Sequence, residues 1–305
     1  VLFPRQIKDV SEFDKALGFF QSLLRPEQRW NLADEYPLAF DRSKPEQMFL
    51  KEVNSELQAG LVTLERRIEI AQGQKAKALF IGSVVTHPSA RLKGYQRELF
   101  HAVEEYAEKA EFDFLVLWSS QIQFYEKLGF RLGGLQATWG SANTQQLAHS
   151  QMKVQLGSTK TIPLTPDLFE SFEKRSFRVG RSFEEMKRLW EIPQMTVACT
   201  ERAYALVGKG EDFHHICHEW AGPAEEVLNC FDVLRRNDPS LRILSPGVVH
   251  TDDDASVIRS LEQSNFEPRL EYLGLFYAIN PMFKLSGLDP QKLDYPFFIW
   301  GLDSI

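Results

Sequence analysis

Cysteine is scarce in this chain: there are three in 305 residues, at Cys199, Cys217 and Cys230. A sparse, odd set without a C-x-x-C pair makes no disulfide framework, and a reducing compartment is its simplest setting. Long apolar runs are missing as well, and nothing approaches the roughly 20 residues that a membrane-crossing helix needs. The first residues show no basic stretch leading into an apolar core, the mark of a signal peptide. A soluble, cytoplasmic protein without a membrane partner is the expectation. Positive charge is also in deficit, with 42 acidic against 35 basic residues and a net charge of −7. That balance argues against nucleic acid as a partner, which calls for a broad basic surface.

What is present is ordinary globular usage, 43% hydrophobic and 25% charged. The length suits two domains of roughly 150 residues each. In the first half, apolar spacing predicts a helix over 11–24, strands over 47–53, 57–71 and 77–86, and a helix over 95–110. An apolar strand at 114–118, a short helix at 121–128 and a strand from Phe130 follow. A strand feeding a helix feeding another strand implies a parallel crossover in a mixed sheet. After a polar stretch at 140–160, the second half repeats a similar order. Helices fall at 166–178, 182–191, 223–236 and 253–264, with strands at 195–200, 203–208, 213–219, 241–245 and 270–279. The aromatic tail, with Phe283, Tyr295, Phe297, Phe298 and Trp300, is expected to pack.

One segment concentrates chemistry. A β-type run through Val84, Val85 and Thr86 ends at Pro88, turns through Arg91, Leu92, Lys93 and Gly94, and enters a helix at Tyr95 and Gln96. A helix start offers free backbone N–H groups and the positive end of its dipole, and Arg91, Lys93 and Arg97 add charge at the same place. Such a strand, basic glycine-containing loop and helix N-terminus form a phosphate site. About 30 residues on stands Phe124-Tyr125-Glu126-Lys127-Leu128-Gly129-Phe130.

With these two motifs, in this order and at this distance, the chain resembles the GNAT superfamily of acyl-CoA-dependent N-acyltransferases over roughly residues 5–140. The family's cofactor motif is matched at Pro88, Arg91 and Gly94, and its later F-Y-E-K-L-G-F motif letter for letter at 124–130. The resemblance implies an α+β fold, a GNAT-like mixed central sheet flanked by helices. The repeated element order extends this to two such domains in tandem: 1–145 with the cofactor motif, and a degenerate 160–305 with the aromatic tail. It implies acetyl-CoA as co-substrate, held by Val84, Val85, Thr86, Arg91, Leu92, Lys93, Gly94, Tyr95 and Gln96. An acetyl group passes to a primary amine, on a small molecule or a peptide, by direct attack. Tyr125 matches the general acid that protonates the departing thiolate. Three departures stand out. Gln96 occupies a place where a small residue lets the pyrophosphate approach the helix, and Trp118 and Gln121 replace the usual asparagine and alanine.

No general base is legible, although Glu52, Glu65 and Glu69 lie on candidate strands. Asp34, Glu35 and Asp41 follow the first helix, where acids would attract a cationic amine. In the second half, His214, His215, Cys217, His218 and Glu219 suggest at most a partial ligand set, and no metal is expected. The turn Glu219–Glu226 lacks the arginine and glycines of the cofactor motif, so no second cofactor site is expected there. Asp252, Asp253 and Asp254 read as charge at the start of a helix. Two rival readings remain open: a non-catalytic CoA-binding regulatory or scaffold protein, and an acyltransferase that uses a longer acyl-CoA.

Overall fold

The computed structural model describes residues 4–27, 30–69, 75–140, 146–175, 178–247, 252–280 and 298–305. In the first half lie β1 (Arg5–Gln6), α1 (Phe13–Leu24), α2 (Leu32–Glu35), β2 (Met48–Val53), β3 (Glu56–Glu69), β4 (Lys75–Thr86), α3 (Tyr95–Lys109), β5 (Phe114–Leu117), α4 (Ile122–Glu126) and β6 (Arg131–Gly140). The second half holds β7 (Gln155–Ser158), α5 (Pro166–Glu173), β8 (Arg178–Val179), α6 (Phe183–Trp190), β9 (Thr196–Cys199), β10 (Tyr204–Lys209), β11 (Asp212–Ala221), α7 (Ala224–Asn237), β12 (Arg242–Pro246), α8 (Asp252–Gln263) and β13 (Glu267–Ala278).

Local signals explain the helices. α1 buries Phe13, Ala16 and Phe20, and α3 buries Leu99, Phe100, Val103 and Ala107, each on one stripe at helical spacing. α6 opens with a capping box in which Ser182 and Glu185 each bond the other's backbone N–H. The short α2 and the edge pieces β1, β7 and β8 are too brief to show a period in sequence.

The thirteen strands among the described residues join one sheet, in the order β1-β2-β3-β4-β5-β13-β6-β12-β11-β10-β9-β7, with β8 against β3. β2, β3 and β4 are antiparallel, and β4 runs parallel to β5 across the α3 crossover. The series β9, β10, β11, α7, β12, α8, β13 repeats the series β2, β3, β4, α3, β5, α4, β6, with β11 parallel to β12. The fold is therefore a large mixed sheet flanked by helices, with the same succession used twice. The two halves also interlock. β13 pairs antiparallel with both β5 and β6 and lies between them, while β6 pairs with β12.

Leu99, Phe100, Val103, Phe112, Leu117 and Tyr125 form one core under α3 and α4. Phe13, Phe20, Phe40, Leu50 and Val85 form a second under α1 and α2. A larger cluster runs from Leu64, Phe80 and Val116 through most of the second half to Trp300. At its centre Arg181, wholly buried, holds Glu219 at 2.8 and 2.9 Å and Asp303 at 2.8 and 2.5 Å. Burial works against the charge on Glu219, but Arg181 outweighs it and keeps that carboxyl below its ordinary range; burial raises Asp303. The ammonium of Lys209, buried beside this group, donates to the carbonyls of Gly301, Leu302 and Ser304. Together they clamp the segment 298–305. Phe298 and Trp300 are buried there, whereas Phe283, Tyr295 and Phe297 lie outside the described residues. The segment brings Ile305 against Gly82 of β4, where any side chain would collide with the Ile305 backbone. No helix among the described residues is long and apolar enough to cross a membrane.

Candidate active site

β4 and β5 pair only from Ala78↔Phe114 to Ile81↔Leu117, and β4 then runs on to Thr86 paired with β3 but not with β5. The two parallel strands thus part at Gly82, opening a cleft at the carboxyl end of β5. At the same point the β3–β4 register shifts: Gly60 faces Val85 and Val62 faces Gly82, so Ser83 and Val84 together oppose Leu61. This is a β-bulge, with Ser83 at φ 50°. A bulge takes residues out of the ladder and re-aims their backbone groups. Val84 and Thr86 are half-buried and Val85 is buried.

Beyond β4 the chain makes a turn of 3₁₀ helix at Pro88–Ala90 and enters α3 through Gly94, which at φ 83° adopts the left-handed conformation glycine tolerates. Arg91, Leu92, Lys93 and Gly94 are all exposed, and Leu92 projects fully into solvent. The backbone N–H groups of Leu92 through Arg97 meet no acceptor among the described residues. The expected loop thus brings together unsatisfied N–H groups, a helix N-terminus and three cations, the features by which phosphates are commonly held. Its first turn is anchored by Lys51 of β2. That side chain is wholly buried, bonds Glu98 at 2.5 Å and sits 5.4 Å from the centre of the Tyr95 ring.

Gln96 does not point outward. Its amide nitrogen reaches back over the end of β4, donating to the Val85 carbonyl at 2.5 Å and meeting the Thr86 hydroxyl at 2.9 Å. Its amide oxygen is buried without a partner. From Gly94 a cavity of about 620 Å³ extends between α3 and α4, lined by Arg97, Phe100, His101, Lys127, Phe130 and Tyr277 among others. Tyr277 comes from β13, so the second half supplies one wall, and its hydroxyl bonds Glu104.

Tyr125 is 6% exposed and shares a cluster with Val84, Tyr95 and Leu117. Its ring meets Phe100 and Phe130 edge to face at 5.6 and 6.0 Å. Burial pushes its phenol above the ordinary value, and a hydrogen bond with Ser119, just past β5, pulls the other way. A phenol so placed is protonated at neutral pH and can give up its proton. Trp118 stacks edge to face on Phe80 at 5.6 Å, on the opposite side of the sheet.

The other acids are engaged or remote. Glu35 pairs with Arg25 at 2.7 Å and accepts the Glu211 N–H, and Asp41 pairs with Arg188 at 2.7 Å. Both tie the first half to the second; Asp34 is exposed. Glu52 lies 3.5 Å from Arg5. Glu65 and Glu69 face Leu79 and Lys75 in the register, well down β3 from the bulge. At about 3.3 Å per residue neither reaches the cleft.

In the second half, β11 is irregular: its register against β10 shifts, and Phe213 and His215 take positive φ. Strand alternation therefore fails, and His214 and His215 are both exposed. His218 is buried with Nε2 2.9 Å from the Gly208 carbonyl, and burial lowers it to about 4. No group of three metal-binding side chains gathers among the described residues. β11 and β12 also part after Cys217↔Ile243, but there Trp220 fills the gap, its indole N–H donating to the Leu244 carbonyl at 2.8 Å. Glu226 is occupied by Thr200 and Arg202, and Glu225 by Ser150. Asp253 accepts the Ala224 N–H at the start of α7.

Residues 11–133 match the family model described as an acetyltransferase (GNAT) domain. No curated protein matches the sequence. Among solved structures, a GCN5-related N-acetyltransferase from Anabaena variabilis superposes with a TM-score of 0.66 at 13% identity, over 91% of this chain and 72% of that one. Eis1 from Mycobacterium abscessus gives 0.61 at 12% identity, over 92% and 74%. A GCN5-related N-acetyltransferase from Kribbella flavida gives 0.61 at 12% identity, over 90% and 70%. At such identities the likeness is one of fold, and it spans both halves.

Proposed function

We propose, from the match of residues 11–133 to the acetyltransferase (GNAT) family model, that the chain transfers an acetyl group from acetyl-CoA to a primary amine. A single active site in the first domain, 1–145, does this, and the domain 160–305 contributes walls and support. The observation that carries the reading is the continuity of the β4 bulge, the parted strands β4 and β5, and the uncapped N-terminus of α3. The pyrophosphate lies on the N–H groups of Leu92 to Arg97, with the side chains of Arg91 and Lys93 supplying counter-charge. The thioester lies at Val84–Thr86, where backbone N–H groups polarise its carbonyl. The amine nitrogen attacks the carbonyl carbon, the C–N bond forms and the C–S bond breaks. The leaving sulfur takes a proton from Tyr125, the nitrogen gives up one to solvent water, and solvent returns a proton to the Tyr125 phenolate. A small-molecule or peptide amine fits this chemistry, and a reducing, cytoplasmic setting fits three unpaired, buried cysteines.

A CoA-binding protein without transfer activity is the second reading. It is favoured by Gln96 lying over the cleft and by the engagement of Glu35, Asp41 and Glu52. Release of free CoA from acetyl-CoA, measured across a panel of polyamines, aminoglycosides, amino acids and lysine peptides, separates the two. Turnover with any amine supports transfer; tight CoA binding with no turnover across the panel supports the second reading. Longer acyl-CoAs in the same assay fix the acyl chain.

A further inference from the structure

We propose that Gln96 is a latch across the cofactor cleft, which the pantetheine arm of a CoA thioester must displace on entry. The inference rests on the cofactor reading above and adds to it a device particular to this chain. Gln96 is the second residue of α3, and its side chain spans from the helix start to the last two residues of β4 through the Val85 carbonyl and the Thr86 hydroxyl. The unsatisfied N–H groups of Leu92 to Arg97 lie at the helix end of that span, and the bulge at Ser83 and Val84 directly precedes Val85 at its strand end. A ligand with its phosphates on the first and its thioester at the second has to pass Val85 and Thr86. The closed Gln96 side chain and the threaded arm therefore exclude each other.

The closed state is also incompletely satisfied. The Gln96 amide oxygen is buried and has no hydrogen-bond partner, although its nitrogen is used twice. A buried acceptor left unpaired carries the full cost of its desolvation, so a rotation that returns it to water recovers part of what the two hydrogen bonds lose. The latch is consequently held shut by a small margin. Opening it is charged against cofactor affinity, because a ligand that binds only the open form is weakened by the fraction of molecules that are closed.

Calorimetric titration of the intact protein with CoA and with adenosine 3′,5′-bisphosphate, which has no pantetheine arm, tests this. Gln96→Ala removes the latch and keeps a good helix former in the first turn. It should tighten CoA by about three- to tenfold, the range that corresponds to one net hydrogen bond. Affinity for the bisphosphate should stay within about twofold of wild type, since that molecule does not pass the latch. Unchanged or weaker CoA binding by Gln96→Ala, with wild type binding normally, would overturn the latch and leave the cofactor reading intact. Equal tightening of both ligands would overturn it too, because the side chain would then be obstructing the phosphate loop alone. If neither protein binds CoA, the cofactor reading itself fails and takes the latch with it.

Discussion

The two parallel-strand forks of this molecule have the same topology and opposite contents. Between β4 and β5 the strands part beside a bulge, and the following helix presents bare N–H groups and cations. Between β11 and β12 the parting is closed by Trp220. The Arg175 guanidinium packs 4.7 Å from the Trp220 ring centre, bonds the Trp220 carbonyl and lies 3.4 Å from Asp254. The helix after this fork starts with Glu225 and Glu226, whose carboxylates are taken by Ser150, Thr200 and Arg202. On the proposed reading the binding site falls in the fork that no tryptophan fills. Once a tryptophan fills such a fork, the same backbone becomes core. The second half closes the sheet of the first with β13 and supplies Tyr277 to the groove beside α3.

The sharpest test of the first fork is Tyr125→Phe, which keeps the ring among Phe100 and Phe130 and removes only the hydroxyl. With an accepted amine, turnover should fall by about 10²–10⁴-fold, the usual worth of a general acid. CoA affinity and melting temperature should hardly move. Wild-type turnover would make the tyrosine a packing residue and shift the proton source elsewhere. The counterpart in the second fork is Trp220→Ala. Trp220 is 1% exposed, so its loss should cost about 3–5 kcal/mol of stability in urea unfolding. It should not create a second CoA site, because Glu225 and Glu226 still oppose phosphate there. A stoichiometry of two CoA per chain in that variant would break the contrast between the forks.

A pH dependence separates the halves in another way. His218 packs beside Lys209, Glu219 and Arg181, and its folded value of about 4 lies below the ordinary 6.5. Between those values the unfolded chain holds more protons than the folded one, so stability falls as pH drops through the window. The full shift corresponds to about 3 kcal/mol. His218→Gln should flatten the fall in unfolding free energy from pH 6.5 toward 4. An undiminished slope in that variant would place the acid sensitivity outside the second-half core.

Much of this was readable in advance, and the reasons differ by region. α3 and α7 declared themselves through long apolar stripes, and β5 through an unbroken run of apolar residues. The loop at Arg91–Gly94 stood out through its charge and glycine before a helix, and the motif at Phe124–Phe130 through its resemblance to the GNAT superfamily. The insertion of β13 between β5 and β6 left no such mark, since an apolar strand reads the same whichever neighbour it takes. The plug at Trp220 was invisible for a similar reason: a tryptophan on a strand does not announce which gap it fills. The shared exposure of His214 and His215 was not legible, because the shifts of register along β10 and β11 carry no sequence signal. Glu35 and Asp41 looked like bait for an amine and instead bond across the halves, a long-range pairing that one half alone does not reveal.

The smallest effect falls on the basic loop at the start of α3. Arg91 is exposed, and its guanidinium takes part in no ion pair among the described residues. Its replacement should leave folding almost untouched, as surface substitutions usually do. If the pyrophosphate sits at the start of α3, however, Arg91→Glu turns an attraction into a repulsion. CoA affinity should weaken by about tenfold at low salt, the scale of a charge-assisted contact reduced by solvent. The loss should shrink as ionic strength rises, because charges more than about 10 Å apart are largely screened at 0.1 M. Arg202→Glu in the second half provides the matched comparison. It removes the partner of Glu226 at the other helix start and should leave CoA affinity unchanged, although it perturbs stability. A CoA affinity that responds to Arg202 and not to Arg91 would reverse the assignment of the two forks. Equal insensitivity to both changes would move the phosphates off the helix N-termini altogether.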